Sequence, residues 1–246
     1  MQELEMPEFD LEIEDSLEEE DEVIASQTSL NTKNLGPRLL VFCLGLIINS
    51  FGVALITKAG LGTSQISSVP YVLTFQFPWL SFAMTTFCIN IILILVQIVL
   101  LGRRFFPVQL LQIVVNVVFS SALGVSMSVL GWLAPSSLPL QLITLALGCC
   151  ILGCGIAVEC APEVIFVPGE GVVYAISEVA GRKLGTVKLV FDAVLVIAAV
   201  TLSLALFGEL RGVGVGTIVT VLITGNVVNS ANAHFGFLSR VRSWAE

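Results

Sequence analysis

Six long apolar runs constrain this chain more than any other feature in it. They lie at approximately 38–57, 80–101, 107–130, 139–160, 185–207 and 213–235. A helix needs about 20 predominantly apolar residues to cross a bilayer, and each run supplies them. Membrane strands need only about 10 alternating residues and must close into a barrel, so runs of this length predict helices. Composition agrees: 56% of the chain is hydrophobic and 12% charged, where soluble domains are about a quarter charged. The opening residues lack the basic start and small-residue cleavage site of a signal peptide, and none is expected. The chain reads as an all-α polytopic membrane protein whose first partner is the lipid bilayer.

The net charge of −8 comes from one end. Residues 1–22 hold twelve of the nineteen acids and no base, which leaves seven acids against eleven bases in the remainder. So acidic a segment repels itself and stays solvated, and 1–32 is expected to be a disordered cytoplasmic tail. The alternation Phe9, Leu11, Ile13 offers a short docking strand for a protein partner.

Between the long runs lie two shorter, interrupted segments, GLGTSQISSVPYVLTFQF (60–77) and EVIFVPGEGVVYAISEVA (163–180). Each opens on Gly or Pro breakers and turns helix-like, and each follows the first long run of its half. The runs before them also match: LGLIINSFGVA (44–54) lies over LGCCILGCGIA (147–157), pairing Gly45 with Gly148 and Gly52 with Gly155. Further on, FCIN ending at Asn90 matches LVFD ending at Asp192, and Gly102 and Gly208 close those spans. The order of features indicates a duplication. It divides the chain into a first membrane repeat at 33–132, a second at 133–238 and a short cytoplasmic tail at 239–246.

Charge then predicts topology. If both broken segments dip into the membrane and return, six spans remain and the N-terminus is cytoplasmic. Lys33, Arg38, Arg103, Arg104, Arg182, Lys183, Arg240 and Arg242 then face the cytoplasm, with only Lys58 and Arg211 outside. Full crossing by both segments gives eight spans and moves Arg103 and Arg104 outside. The positive-inside rule favours six. Three spans per half is an odd number, so the fold expected is two inverted three-span repeats, each with a broken or re-entrant helical segment after its first span. Secondary transporters often use that arrangement. Irregular backbone at membrane depth persists where it lines a protein-walled or watery cavity.

GLGTSQ (60–65), followed by a helix and the Asn90 span, resembles the first half of the YczE/YitT-type bacterial integral membrane proteins. PGEGVVYAISEVAGRKLGTVKLVFD (168–192) and GVGVGT (212–217) resemble the second. The likeness covers about residues 38–235 and implies a bacterial plasma-membrane location. Relatives of this type typically place a carboxylate after the glycine turn in each half. Glu170 fills the second of those positions, Gln65 stands at the first, and Lys188 with Asp192 matches a basic-x-x-x-acidic pairing.

The residues themselves offer a candidate substrate-binding site. Gly60, Gly62, Thr63, Ser64 and Gln65 lie at the first break, and Gly169, Glu170 and Gly171 at the second. Asn90, Lys188 and Asp192 lie in the spans that follow. A carboxylate at membrane depth costs several kcal/mol unless paired, hydrated or protonated. Glu170 is therefore either a proton-carrying or solute-binding group, or the acidic first-turn residue of a helix beginning near Val172. Lys188 and Asp192, four apart on one helix face, are spaced to pair. Glu159, Glu163 and Lys58 sit at segment ends, and Asn116, Asn226 and Asn229 read as glue between helices.

Neither a metal nor another cofactor is expected. The six cysteines lack C-x-x-C spacing and the single histidine, His234, is remote. GVGVGT lacks the lysine of a phosphate loop. An enzyme is not expected without a nucleophile elbow, and a nucleic-acid partner is not expected without a basic face. The leading expectation is a secondary transporter or permease for a small polar solute, with a carboxylate on the solute and proton coupling of its transport as options. Its rival is a non-transporting scaffold or regulator whose acidic tail recruits a cytoplasmic protein. A homo-oligomer is compatible with both.

Overall fold

The structure, a computed structural model, describes residues 33–105 and 107–244. The expected tail over 1–32 lies outside the described residues. Among those described, nine α-helices account for nearly all regular structure. They are α1 (Leu35–Lys58), α2 (Gln65–Gln76), α3 (Phe82–Leu101), α4 (Leu111–Val129), α5 (Leu138–Cys160), α6 (Pro168–Ala180), α7 (Leu184–Phe207), α8 (Val215–His234) and α9 (Gly236–Arg242).

Helices α1, α3, α4, α5 and α7, two of them extended by short 3₁₀ turns, are long and apolar enough to cross a membrane. Their outward faces carry Leu40, Val99, Val114, Leu189 and Ile197, more than half exposed. In water such a surface would aggregate; in lipid it is the solvent-facing side. The chain is a multi-pass membrane protein. The sixth expected span is less apolar than the other five. Within 213–235 the helix α8 covers Val215–His234, 20 residues, and it falls short of the apolarity of the five helices above. Thr217, Thr220, Thr224, Asn226, Asn229 and Asn232 dilute its apolar content, and several of them turn inward.

The bundle is organised on α1 and α5, which form its most extensive interface. They run antiparallel with their backbones in contact: Gly45 lies against Glu159, Gly52 against Leu152, Gly148 against Ile56 and Gly155 against Asn49. A Cβ on Gly45 would stand 2.4 Å from the Glu159 nitrogen, and one on Gly52 2.5 Å from the Leu152 nitrogen. Lipid tails give apolar helices no reason to associate, so backbone approach of this kind, with the dispersion it brings, replaces the hydrophobic drive.

The same four contacts carry an internal repeat. The offset that takes Gly45 to Gly148 and Gly52 to Gly155 also takes Asn49 to Leu152 and Ile56 to Glu159. Exchanging the halves therefore maps Gly45–Glu159 onto Gly148–Ile56, and Gly52–Leu152 onto Gly155–Asn49. The remaining packing follows suit. Helix α4 packs on α1 as α8 packs on α5, and α2 packs on α7 as α6 packs on α3. One seam breaks the pattern: α3 packs closely on α4, whereas α7 has no comparable seam with α8.

Candidate functional site

Both broken segments lead into their helices through the same backbone conformation. Ser64, just before α2, has φ −68° and ψ 158°; Val167, just before α6, has φ −69° and ψ 155°. The half-exchange offset takes Gln65, the first residue of α2, onto Pro168, the first of α6. Proline suits a helix start, where its missing N–H is no loss. Helix α6 thus begins four residues before the expected Val172, and Glu170 lies within its first turn.

Different anchors hold the two helix starts. Before α2, the Leu61 carbonyl accepts from the Gly216 N–H at 2.8 Å, and the Thr63 N–H donates to Thr217 Oγ1 at 3.3 Å. Gly62 adopts φ +129°, and a Cβ there would stand 2.5 Å from Thr217 Oγ1. This position needs glycine for both conformation and space. Before α6, buried Arg38 donates from Nε to the Pro162 carbonyl at 2.8 Å and from Nη2 to the Glu163 carbonyl at 2.9 Å. The Glu163 carboxylate meets Arg242 Nε of α9 at 3.5 Å. Arginine thereby satisfies carbonyls that the broken backbone leaves open.

The helix starts then meet. The Ile66 side chain lies 3.1 Å from where a Gly169 Cβ would be, and half-exchange maps this contact onto itself. Behind the meeting point, Gln97 of α3 and Gln112 of α4, both fully buried, exchange two amide hydrogen bonds of 3.0 Å. Gln97 Nε2 also donates to the Pro168 carbonyl at 3.0 Å, pinning the start of α6.

In front of it lies a cavity of about 360 Å³. Of the predicted site residues, Ser64 and Gln65 line it from α2, and Gly169 and Glu170 from α6. Asn90 lines it from α3, and Lys188 and Asp192 from α7. The other four are not on its wall. Gly60 sits at the turn after α1 with φ +77°, while Gly62 and Thr63 bind the start of α8. Gly171 is pressed against the Gln97–Gln112 pair, 2.4 Å from the Gln97 oxygen to a virtual Cβ. These four shape the breaks from behind.

The expected Lys188–Asp192 ion pair is also corrected. Both line the cavity, but among the described residues the ion pairs are Arg104–Glu178, Arg211–Glu209 and Arg242–Glu163. Lys188 instead lines the cavity together with Glu159, Glu170 and Asp192. One ammonium thus stands in a cavity with three carboxyl groups. The Oδ1 of Asp192 is buried with no hydrogen-bond partner among the described residues.

Glu159 is the residue that sequence reasoning leaves at a segment end. It is 4% exposed, lines the cavity and accepts from Asn49 Nδ2 at 2.7 Å. A signal for it exists: Glu159 falls opposite Gly45 in the antiparallel seam, on the face of α5 that cannot reach lipid. Asn116 acts as the expected glue, accepting from Asn90 Nδ2 at 2.8 Å. Asn226 bonds to the Leu222 carbonyl within its own helix, and Asn229 lines the cavity.

The half-exchange also pairs the walls. Ser67 corresponds to Glu170, and, with a one-residue slip, Thr86 to Lys188 and Asn90 to Asp192. The first repeat contributes a neutral wall and the second a charged one. Among the described residues no group of three His, Cys, Asp or Glu side chains converges closely enough to hold a metal.

A family model described as a family of unknown function (DUF6198) matches residues 36–233, and the chain belongs to that family. The match does not name the YczE/YitT type. No curated protein and no solved structure matches the chain.

Proposed function

We propose that this member of the DUF6198 family is a secondary transporter or channel-like permease for a small polar solute. Its two halves are inverted three-span repeats, 33–132 and 133–238, with α2 and α6 as re-entrant helices. The observation that carries the proposal is the cavity where the two short helices meet. It lies inside an apolar bundle and brings Glu159, Glu170, Lys188 and Asp192 together. Ionisable groups at membrane depth are expensive, and groups gathered round a cavity mark a solute or ion path.

Inversion is supported by the α1–α5 seam. Two helices that exchange onto each other while running antiparallel are related by an axis perpendicular to them, hence by one in the membrane plane. Parallel halves would make the exchanged helices parallel. The N-terminus, the Arg103–Arg104 loop, the Arg182–Lys183 loop and the 239–246 segment then face the cytoplasm of a bacterial cell. Likeness to YczE/YitT-type proteins rests on GLGTSQ and the PGEG segment and agrees with that location.

In this reading the free amides at the starts of α2 and α6 present the positive ends of two helix dipoles to the cavity. Glu170 and Asp192 bind solute or carry a proton, and Asn90 with Gln65 supplies uncharged polar contacts. Alternating access opens and closes the loosely packed α7–α8 seam against the firm α3–α4 seam.

Uptake into proteoliposomes tests the proposal. Glu170→Gln keeps size and a capping oxygen but cannot titrate, so uptake is expected to fall at least tenfold while thermal stability stays near wild type. Removal of residues 1–30 is expected to leave uptake intact. Uptake unaffected by Glu170→Gln, or an intact fold that carries none of a broad metabolite panel, would move the function to the tail and to a scaffold.

A further inference from the structure

The charge balance of the cavity goes further, on the premise that the cavity is the solute site. Three carboxylates face it, Glu159, Glu170 and Asp192, against one ammonium, Lys188. Every other polar lining group is neutral on each packed element: Asn49 on α1, Gln65 and its serine neighbours on α2, Thr86 and Asn90 on α3, and Thr224 and Asn229 on α8. Uncompensated negative charge at this depth is costly, and a positive ligand or bound protons must offset it.

Two of the residues lining the cavity also hold buried oxygens without partners. Among the described residues Asp192 Oδ1 on α7 has no hydrogen-bond partner, and neither has Thr86 Oγ1 on α3, a residue only 3% exposed. Thr86 holds the place in the first repeat that Lys188 holds in the second. A ligand with several N–H donors, placed between α3 and α7, satisfies both oxygens and meets the excess carboxylate charge.

A bare metal ion fits poorly, since the carboxylates do not converge as ligands among the described residues. A cationic group on a small carbon skeleton fits better. The cavity holds about 360 Å³, and Val53, Phe119, Leu152 and Ile156 give it an apolar side. We infer that the solute carries a protonated amine, with its ammonium directed at Asp192 and Thr86 and its carbon body against that apolar side.

Three small molecules of matched size separate the possibilities: ethanolamine, ethylene glycol and glycolate present ammonium, hydroxyl and carboxylate on nearly the same frame. Calorimetric titration of the purified full-length protein should find ethanolamine bound at least tenfold more tightly than either companion. Asp192→Asn should weaken ethanolamine by about tenfold or more, the loss of one charged hydrogen bond, and leave the ethylene glycol affinity unchanged. Thr86→Ala, a milder change that removes only the hydroxyl, should weaken ethanolamine several-fold and covers the case in which Asp192→Asn does not fold. Glycolate binding most tightly, equal affinities for the three, or no measurable ethanolamine binding each overturns the inference. Displacement of ethanolamine by sodium at equal concentration overturns it too, in favour of an inorganic cation. The expected order of binding without ethanolamine flux in proteoliposomes would instead sink the transport reading and leave the amine site standing.

Discussion

Substituting alanine in the α1–α5 seam tests the architecture at its centre. A Cβ at Gly52 would lie 2.5 Å from the Leu152 nitrogen and 2.7 Å from its Cα, where ordinary contact begins near 3.4 Å. The blocking atoms are backbone, so no rotamer change can yield and the helices must part by about 1 Å. A gap of that size forfeits a quarter to a half of each dispersion contact along the seam. Overpacking of one core site costs about 1–3 kcal/mol, and a whole helix pair must move here, so about 3 kcal/mol is expected. Alanine returns about 1 kcal/mol of helix propensity, for a net loss near 2 kcal/mol. Gly155→Ala, whose Cβ would be 2.5 Å from the Asn49 nitrogen, should match it. Gly148→Ala should cost somewhat less, because its nearest backbone obstacle, the Ile56 nitrogen, stands at 2.9 Å and the closer Ile56 Cγ1, at 2.7 Å, is a side-chain atom. Gly36 in the same helix has nothing within 4 Å of its virtual Cβ, so Gly36→Ala should be neutral or slightly stabilising. Equilibrium unfolding in mixed micelles reads all four. If Gly52→Ala proves as stable as wild type, α1 and α5 do not meet as described and the repeat argument built on them fails.

Single cysteines in a cysteine-free chain should be labelled from the cytoplasmic side at 103–104 and 182–183, and from the opposite side at 58 and 211. Labelling of 103–104 from outside, with 182–183 inside, would refute the inverted topology. Gln97→Leu should destabilise by about 2–6 kcal/mol, since it strands the Gln112 amide and the Pro168 carbonyl at about 1–3 kcal/mol each. The double replacement of Gln97 and Gln112 by leucine should cost less than the two single changes together, because neither amide is then left alone. Thermal unfolding of the three variants reads the difference, and strict additivity would mean the pair does not form.

Much of the fold can be read from residue order. Gly45, Gly52, Gly148 and Gly155 are legible because close helix packing in lipid leaves a stripe of small residues, and a stripe that recurs at one offset reveals duplication. The Pro168–Gly171 break is visible for the same kind of reason, since proline and glycine act on the backbone locally. Its helix start is harder to place, because Pro168 looks like an interruption when it is the first turn. Helix α8 reads as an ordinary span by length, although its buried threonines and its exposed asparagines lower its apolarity. Glu159 and the missing Lys188–Asp192 pair are illegible for another cause. Spacing along one helix says which side chains share a face. It says nothing about the helices that face them, and here Asn49 on α1 meets Glu159 while Glu170 on α6 lines the same cavity as Lys188 and Asp192.

The pairing of α1 with α5 also sets a timetable for the newborn chain. Ribosomes add about 5–20 residues per second, so α1 reaches the membrane several seconds or more before the helix that covers it has been made. For that interval its glycine stripe and Asn49 face lipid or the insertion machinery, with the carboxylate that will receive the Asn49 amide not yet synthesised. Stripes of this kind associate readily with one another. Two nascent copies emerging side by side from one message can therefore join through α1 before either has its own α5, and crowding on the ribosome becomes a hazard to assembly.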